Sequence, residues 1–150
     1  MHTIIDENTL DIMLTRPSEQ LVRAMKELPS DITILGANGK MGVSLCRLAK
    51  LAAEEAGISK EIYAVSRFSD REGKEKLESW GIRTIACDLL DEEQVKTLPQ
   101  TGNVIFMAGR KFGTIGSEPL TWAMNTLVPA NCASHYKDSR IVAFSTGCVY

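Results

Sequence analysis

The chain has 150 residues, 44% of them hydrophobic and 24% charged, with a formal net charge of −2 and a pI near 5.7. These values describe one ordinary soluble globular domain, long enough to bury a real core. They exclude the basic footprint of a nucleic-acid or anionic-membrane binder, and no apolar run approaches the ~20 residues that a membrane-spanning helix requires.

Residues 1–30 read as an N-terminal extension with one amphipathic helix. Asp6, Glu7 and Asp11 stand there with no basic segment before the apolar residues, which argues against a signal peptide. Thr15-Arg16-Pro17-Ser18-Glu19 has the form of a helix start. Leu21, Val22, Met25 and Leu28 then share one apolar face until Pro29 ends the segment. Such a helix packs on its own domain more often than on a partner.

From Asp31 to Tyr150 the pattern alternates between strand and helix. Strands are expected at about Ile32–Leu35, Ile62–Val65, Thr84–Cys87, Val104–Met107 and Ile141–Phe144. Helices fall between them, near Lys40–Ala56, Asp70–Trp80, Asp91–Leu98 and Glu118–Tyr136, with Gly57 and Gly81 where helix caps belong. Apolar strands joined by helical crossovers predict an α/β fold: a doubly wound, Rossmann-like parallel sheet of about five strands with helices on both faces.

The first strand runs straight into Gly36-Ala37-Asn38-Gly39-Lys40-Met41-Gly42, a G-x-x-G-x-x-G loop, and a helix pattern follows at once. Strand, tight turn and helix N-terminus, in that order, aim backbone N–H groups and the positive end of the helix dipole at a pyrophosphate. Gly36 serves the turn, Gly39 the close approach of phosphate, and Gly42 the packing of helix on sheet. Gly36, Asn38, Gly39, Lys40, Met41 and Gly42 are therefore the expected cofactor-binding residues of this loop. No Gly-Lys-Ser/Thr closes it, which excludes a P-loop.

An acid about 20 residues beyond the glycines would grip the ribose 2′-hydroxyl of NAD. The second strand ends instead in Ser66-Arg67, which suits a 2′-phosphate: a charged fork of donors and a hydroxyl. NADP is favoured over NAD on that ground. Arg67 could also stack on the adenine or lie in solvent, and Asp70 is a weaker candidate for the missing acid. Cys46, Cys87, Cys132 and Cys148 are widely separated and only His2 and His135 accompany them, so no metal cluster is expected; reduced thiols and a cytoplasmic location are.

Five segments together resemble the extended short-chain dehydrogenase/reductase family, the NAD(P)-dependent epimerase/dehydratase group acting mainly on nucleotide sugars. They are the glycine loop, Asp88-Leu89 with Asp91 after it, Phe106-Met107-Ala108-Gly109, Asn125-Thr126-Leu127-Val128-Pro129-Ala130-Asn131 and Phe144-Ser145-Thr146-Gly147-Cys148-Val149-Tyr150. The resemblance covers about Asp31 to Tyr150. It implies that Asp88 accepts from the adenine amino group with Leu89 as backbone partner, and that Ala108 and Gly109 pass beneath the cofactor's ribose and phosphates. The alternative for Asp88 is a helix N-cap, and both roles can coexist with Asp91 as the actual cap. The resemblance further implies that Asn125 supports the active site and that Thr146 holds the reacting oxygen of a nucleotide-sugar-like substrate.

One family feature is missing. The general acid/base of the family is the tyrosine of a Tyr-x-x-x-Lys pair, and none of Tyr63, Tyr136 and Tyr150 is followed by a lysine at that spacing. The chain is therefore expected to be the truncated Rossmann part, residues 31–150, of an epimerase, dehydratase or reductase, lacking the C-terminal part of the fold and inactive in hydride transfer by itself. A native homodimer is compatible with the family. The alternative is a non-catalytic NAD(P)-binding sensor or regulatory module on the same fold.

Overall fold

The computed structural model describes residues 4–110 and 115–145. Its centre is strand β1 (Ile32–Leu35), buried along its whole length. On one side β1 pairs in parallel with β2 (Ile62–Ser66), which pairs with β3 (Arg83–Ala86). On the other side it pairs with β4 (Asn103–Phe106), which pairs with β5 (Arg140–Ala143). The order is β3-β2-β1-β4-β5 and every pairing is parallel. This is the doubly wound, Rossmann-like sheet that the alternation predicts, with β3, β4 and β5 each beginning one residue earlier than expected.

Side-chain alternation splits the core in two. Ile32, Ile34, Ile62 and Ala64 face the cluster that holds Cys46, Ala49 and Ala52 of α3 (Lys40–Glu55) and Leu77 of α4 (Arg71–Ser79). Leu35, Val65 and Val104 face the opposite cluster, with Val95 of α5 (Glu92–Lys96) and Val128 and Cys132 of α6 (Glu118–His135). Small residues on α3 let that helix lie close to the sheet, which brings its N-terminus to the end of β1. Burial drives the Cys46 and Cys132 thiols up to about 12, so they behave as small apolar groups.

The N-terminal residues hold two helices where the sequence predicts one: α1 (Glu7–Leu14) and α2 (Glu19–Glu27). α1 escapes the periodicity argument because it buries no residue; it is held by Asp6, whose side chain accepts from Thr9 N–H, and by Lys76 Nζ on Asp11 Oδ2 at 2.6 Å. α2 has the expected apolar face, and Met25, Leu21, Val22 and Leu28 pack into the same cluster as β1 and α3. Beyond α2, Lys60 Nζ donates to the carbonyls of Leu28 and Ser30, and Asn103 Nδ2 to that of Pro29 at 2.6 Å. Residues 19–30 thus close the amino-terminal edge of the sheet. Among the described residues no helix is long and apolar enough to cross a membrane.

Candidate functional site

β1 is the strand from which the chain winds outward in both directions, toward β2 on one side and β4 on the other. Ligands of open parallel sheets bind beyond the carboxyl ends of the strands at such a point. Here Gly36 takes φ +86° and its N–H, with that of Ala37, donates to the Val65 carbonyl at 2.9 and 3.1 Å. A Cβ on Gly36 would stand 2.8 Å from Ala108 N, so both the backbone conformation and the nearness of the β4 segment demand glycine. Gly42 has a purely steric reason: a Cβ would run into the Ala37 carbonyl oxygen, so the first turn of α3 sits directly on the loop.

Gly39 differs from both. A Cβ there would meet only Gly36 O, at 3.5 Å, so this stretch of backbone faces open space. Gly39 is the N-cap of α3 and supplies no side-chain acceptor, whereas Asp6, Ser18, Asp70 and Asp91 each cap their own helix with a side-chain oxygen. A helix N-terminus reached by bare backbone is what a phosphate oxygen requires.

A cavity of about 340 Å³ opens beside this loop, within the range of small-molecule sites. Gly36, Asn38 and Gly39 form one wall, Ser66 and Arg67 at the end of β2 the next, Asp88 and Leu89 after β3 a third, and Ala108 and Gly109 after β4 the last. The structure therefore brings together residues from four separate strand ends. Lys40, Met41 and Gly42 do not line the cavity; Met41 is 61% exposed on α3, and Gly42 lies under the loop. Asp70, the weaker candidate for the missing acid, also lines it, and Phe68, Ser69, Cys87, Met107 and Met124 do so without having been singled out as binding residues by sequence.

Arg67 is the one cation among the described residues lining this cavity. It also borders an adjoining cavity of about 230 Å³ together with Arg110, Gly109, Leu120 and Met124. The two acids at the first cavity have local partners. Asp70 accepts from Glu72 N–H at 3.1 Å as the cap of α4. Asp88 Oδ1 accepts from Leu90 N–H at 3.0 Å, and the Asp88 N–H donates to Gln94 Oε1 at 3.0 Å. Asp91 is the cap of α5, accepting from Glu93 and Gln94 N–H at 3.0 and 3.2 Å. Burial, and then the charges of Asp88 and Asp91, push the Cys87 thiol up, so it presents a neutral group to the cavity.

Phe68 has a conformation that sequence reasoning does not anticipate. It takes φ +49°, the left-handed region, which for a bulky residue costs roughly 1–3 kcal/mol. The residue is only 8% exposed and packs in the cluster with Leu77 and Ile82, which offsets that cost. The reversal leaves Arg67 exposed at the cavity and carries the chain to the cap of α4.

Asn125 on α6 faces the segment after β4. Its Oδ1 accepts from Arg110 N–H and its Nδ2 donates to the Arg110 carbonyl, both at 2.9 Å. These two bonds hold the chain beside Gly109. Thr146 lies outside the described residues, and so does the rest of that segment to Tyr150. No group of three or more metal-ligating side chains occurs among the described residues.

The residues present fit a dinucleotide phosphate: an open backbone cradle at Gly39, an N-terminus without a side-chain cap, and a cation at the neighbouring strand end. No family model matches the chain, and no curated protein does. Among solved structures it is similar to the Bordetella bronchiseptica enzyme WbmF in complex with NAD+, with a TM-score of 0.61 and 14% identity. That likeness covers 81% of this chain and 40% of the other, so the chain spans well under half the length of the structure it matches. At this identity the likeness is one of fold.

Proposed function

We propose that the cavity binds a nicotinamide dinucleotide, NADP in preference to NAD, as the cofactor-binding part of an oxidoreductase of the extended short-chain dehydrogenase/reductase type. The observation that carries this is the pairing of the bare Gly39 backbone at the α3 N-terminus with Ser66-Arg67 across the same cavity. The likeness in fold to an enzyme solved with NAD+ supports it. In this reading Gly36 and Gly39 hold the pyrophosphate, Asp88 and Leu89 the adenine, Ser66 and Arg67 the 2′-phosphate, and Ala108 and Gly109 lie under the ribose. Lys40 and Met41 contribute their backbone N–H groups at the start of α3.

When bound, the cofactor supplies hydride acceptance or donation toward a nucleotide-sugar-like substrate. The residues of this chain bind and orient. Asn125 fixes the wall at Gly109–Arg110, and Thr146 holds the reacting oxygen. The 150 residues carry no Tyr-x-x-x-Lys pair, so the reading for this chain alone is binding without turnover. The proposal extends to self-association through α6, where Trp122 and Leu127 are 71% and 57% exposed, and to the cytoplasm, where the free thiols of Cys46, Cys87 and Cys132 would remain reduced.

The test is a fluorescence titration with NADPH and NADH. A charge-assisted contact from Arg67 predicts about tenfold tighter binding of NADPH, and Arg67→Met should remove most of that difference. Equal affinities in the unaltered chain would refute the NADP preference, and binding of neither would refute the site.

A further inference from the structure

Asn38 of the glycine loop and Gly73 of α4 meet although they belong to different crossovers. Asn38 Nδ2 donates to the Asp70 carbonyl at 3.3 Å. That bond fixes the amide, since the opposite orientation would set two oxygens face to face. Asn38 Oδ1 is thereby turned against α4, where it is buried with no hydrogen-bond partner among the described residues. It occupies the place in which a Cβ of residue 73 would stand.

Gly73 is the third residue of α4, where it adds none of the helix propensity an alanine would. It is not among the positive-φ glycines of the chain. Neither backbone conformation nor helix propensity accounts for it; room for the Asn38 amide does.

We propose that Gly73 is a positioning residue of the dinucleotide site. By admitting the Asn38 amide it locks the glycine loop to the turn between β2 and α4, and so sets the distance from the Gly36–Gly39 backbone to Ser66 and Arg67. The inference rests on the dinucleotide reading and deepens it: Gly73 acts on the end of the site that takes the ribose 2′-substituent. A side chain at 73 displaces Asn38, frees the Asp70 carbonyl, and shifts Ser66-Arg67 against the glycine loop.

The test uses the 150-residue chain and three variants, Asn38→Ala, Gly73→Ala and the double variant, with NADPH and NADH titrations and a thermal melt of each. Gly73→Ala should weaken NADPH binding about tenfold and NADH binding by about twofold, a selectivity change that mere loss of helix packing would not produce. The double variant should bind as Asn38→Ala does, because the added methyl then has space. If Gly73→Ala does not fold, the double variant must fold and must match Asn38→Ala. Wild-type affinity in Gly73→Ala, or losses that multiply in the double variant, would overturn the inference while leaving the site intact. Failure of the unaltered chain to bind either dinucleotide overturns the site reading and the inference with it.

Discussion

Asn125 and Arg110 form a two-way bridge between α6 and the segment that follows β4. The amide oxygen takes the Arg110 N–H and the amide nitrogen reaches the Arg110 carbonyl, each at 2.9 Å. One side chain thus does for this segment what a neighbouring strand does for a sheet edge. The Asn125 oxygen also lies 3.3 Å from where a Cβ of Gly109 would be, so the bridge and the glycine form one arrangement.

Asn125→Leu should cost about 1–2 kcal/mol, since it removes both bonds and leaves two backbone groups to find water. Asn125→Asp retains an acceptor for the N–H but sets a carboxylate against the Arg110 carbonyl, and should lose at least as much. Urea titration measures both; a cost for Asn125→Leu below a few tenths of a kcal/mol would show that the bridge is dispensable.

The glycines of the loop should separate into two classes. Gly36→Ala forces a side chain into the left-handed region and against Ala108 N at 2.8 Å, so it should destabilise the fold by roughly 2 kcal/mol or more. Gly39→Ala meets only an ordinary contact at 3.5 Å, so the protein should melt close to the parent temperature while dinucleotide binding falls. Similar melting losses for the two variants would contradict this division.

Acid should weaken the α5 cap. The side-chain and backbone hydrogen bonds from Gln94, then that from Glu93, hold the Asp91 carboxyl below its ordinary value of 3.8. A carboxyl lowered on folding stabilises the native state above its unfolded pKa, and that contribution is lost as pH falls through the folded one. Asp91→Asn keeps a capping oxygen that does not titrate. The stability gap between parent and Asp91→Asn should therefore be larger near about pH 7 than near about pH 3, by urea titration at each pH. A gap that does not change with pH would argue against a charged cap.

Residues 19–30 should behave as part of the domain. Met25 is buried in the cluster shared by α3 and β1, so Met25→Ala should cost about 2–5 kcal/mol. A loss under 1 kcal/mol would mark α2 as a loosely attached extension.

Much of this molecule is legible in its residue order. Apolar strands such as Ile32–Leu35 and crossovers such as Lys40–Glu55 carry strong periodic signals, because burial on one or both faces is a local requirement at each position. The spacing of Gly36, Gly39 and Gly42 is legible for the same reason, each glycine answering a short-range steric demand. α1 was not legible, since a helix held by one cap and one ion pair has no buried face. Phe68 and Gly73 leave a fainter trace: a glycine inside a helix pattern signals some close approach but never its partner.

The sequence by itself determined the strand and helix order from Asp31 onward, the parallel sheet that order compels, and the loop at its centre. Those follow from propensity, periodicity and chain connectivity, which act over a few residues or a single crossover. Only the tertiary structure decided which strand ends converge on one cavity and which loop residues stay outside it. It alone set Asn38 against Gly73, 35 residues apart in the chain, and Asn125 against Arg110. Such contacts depend on the sheet order and on how closely α3, α4 and α6 pack, and close packing is a property of the whole fold that no local pattern encodes.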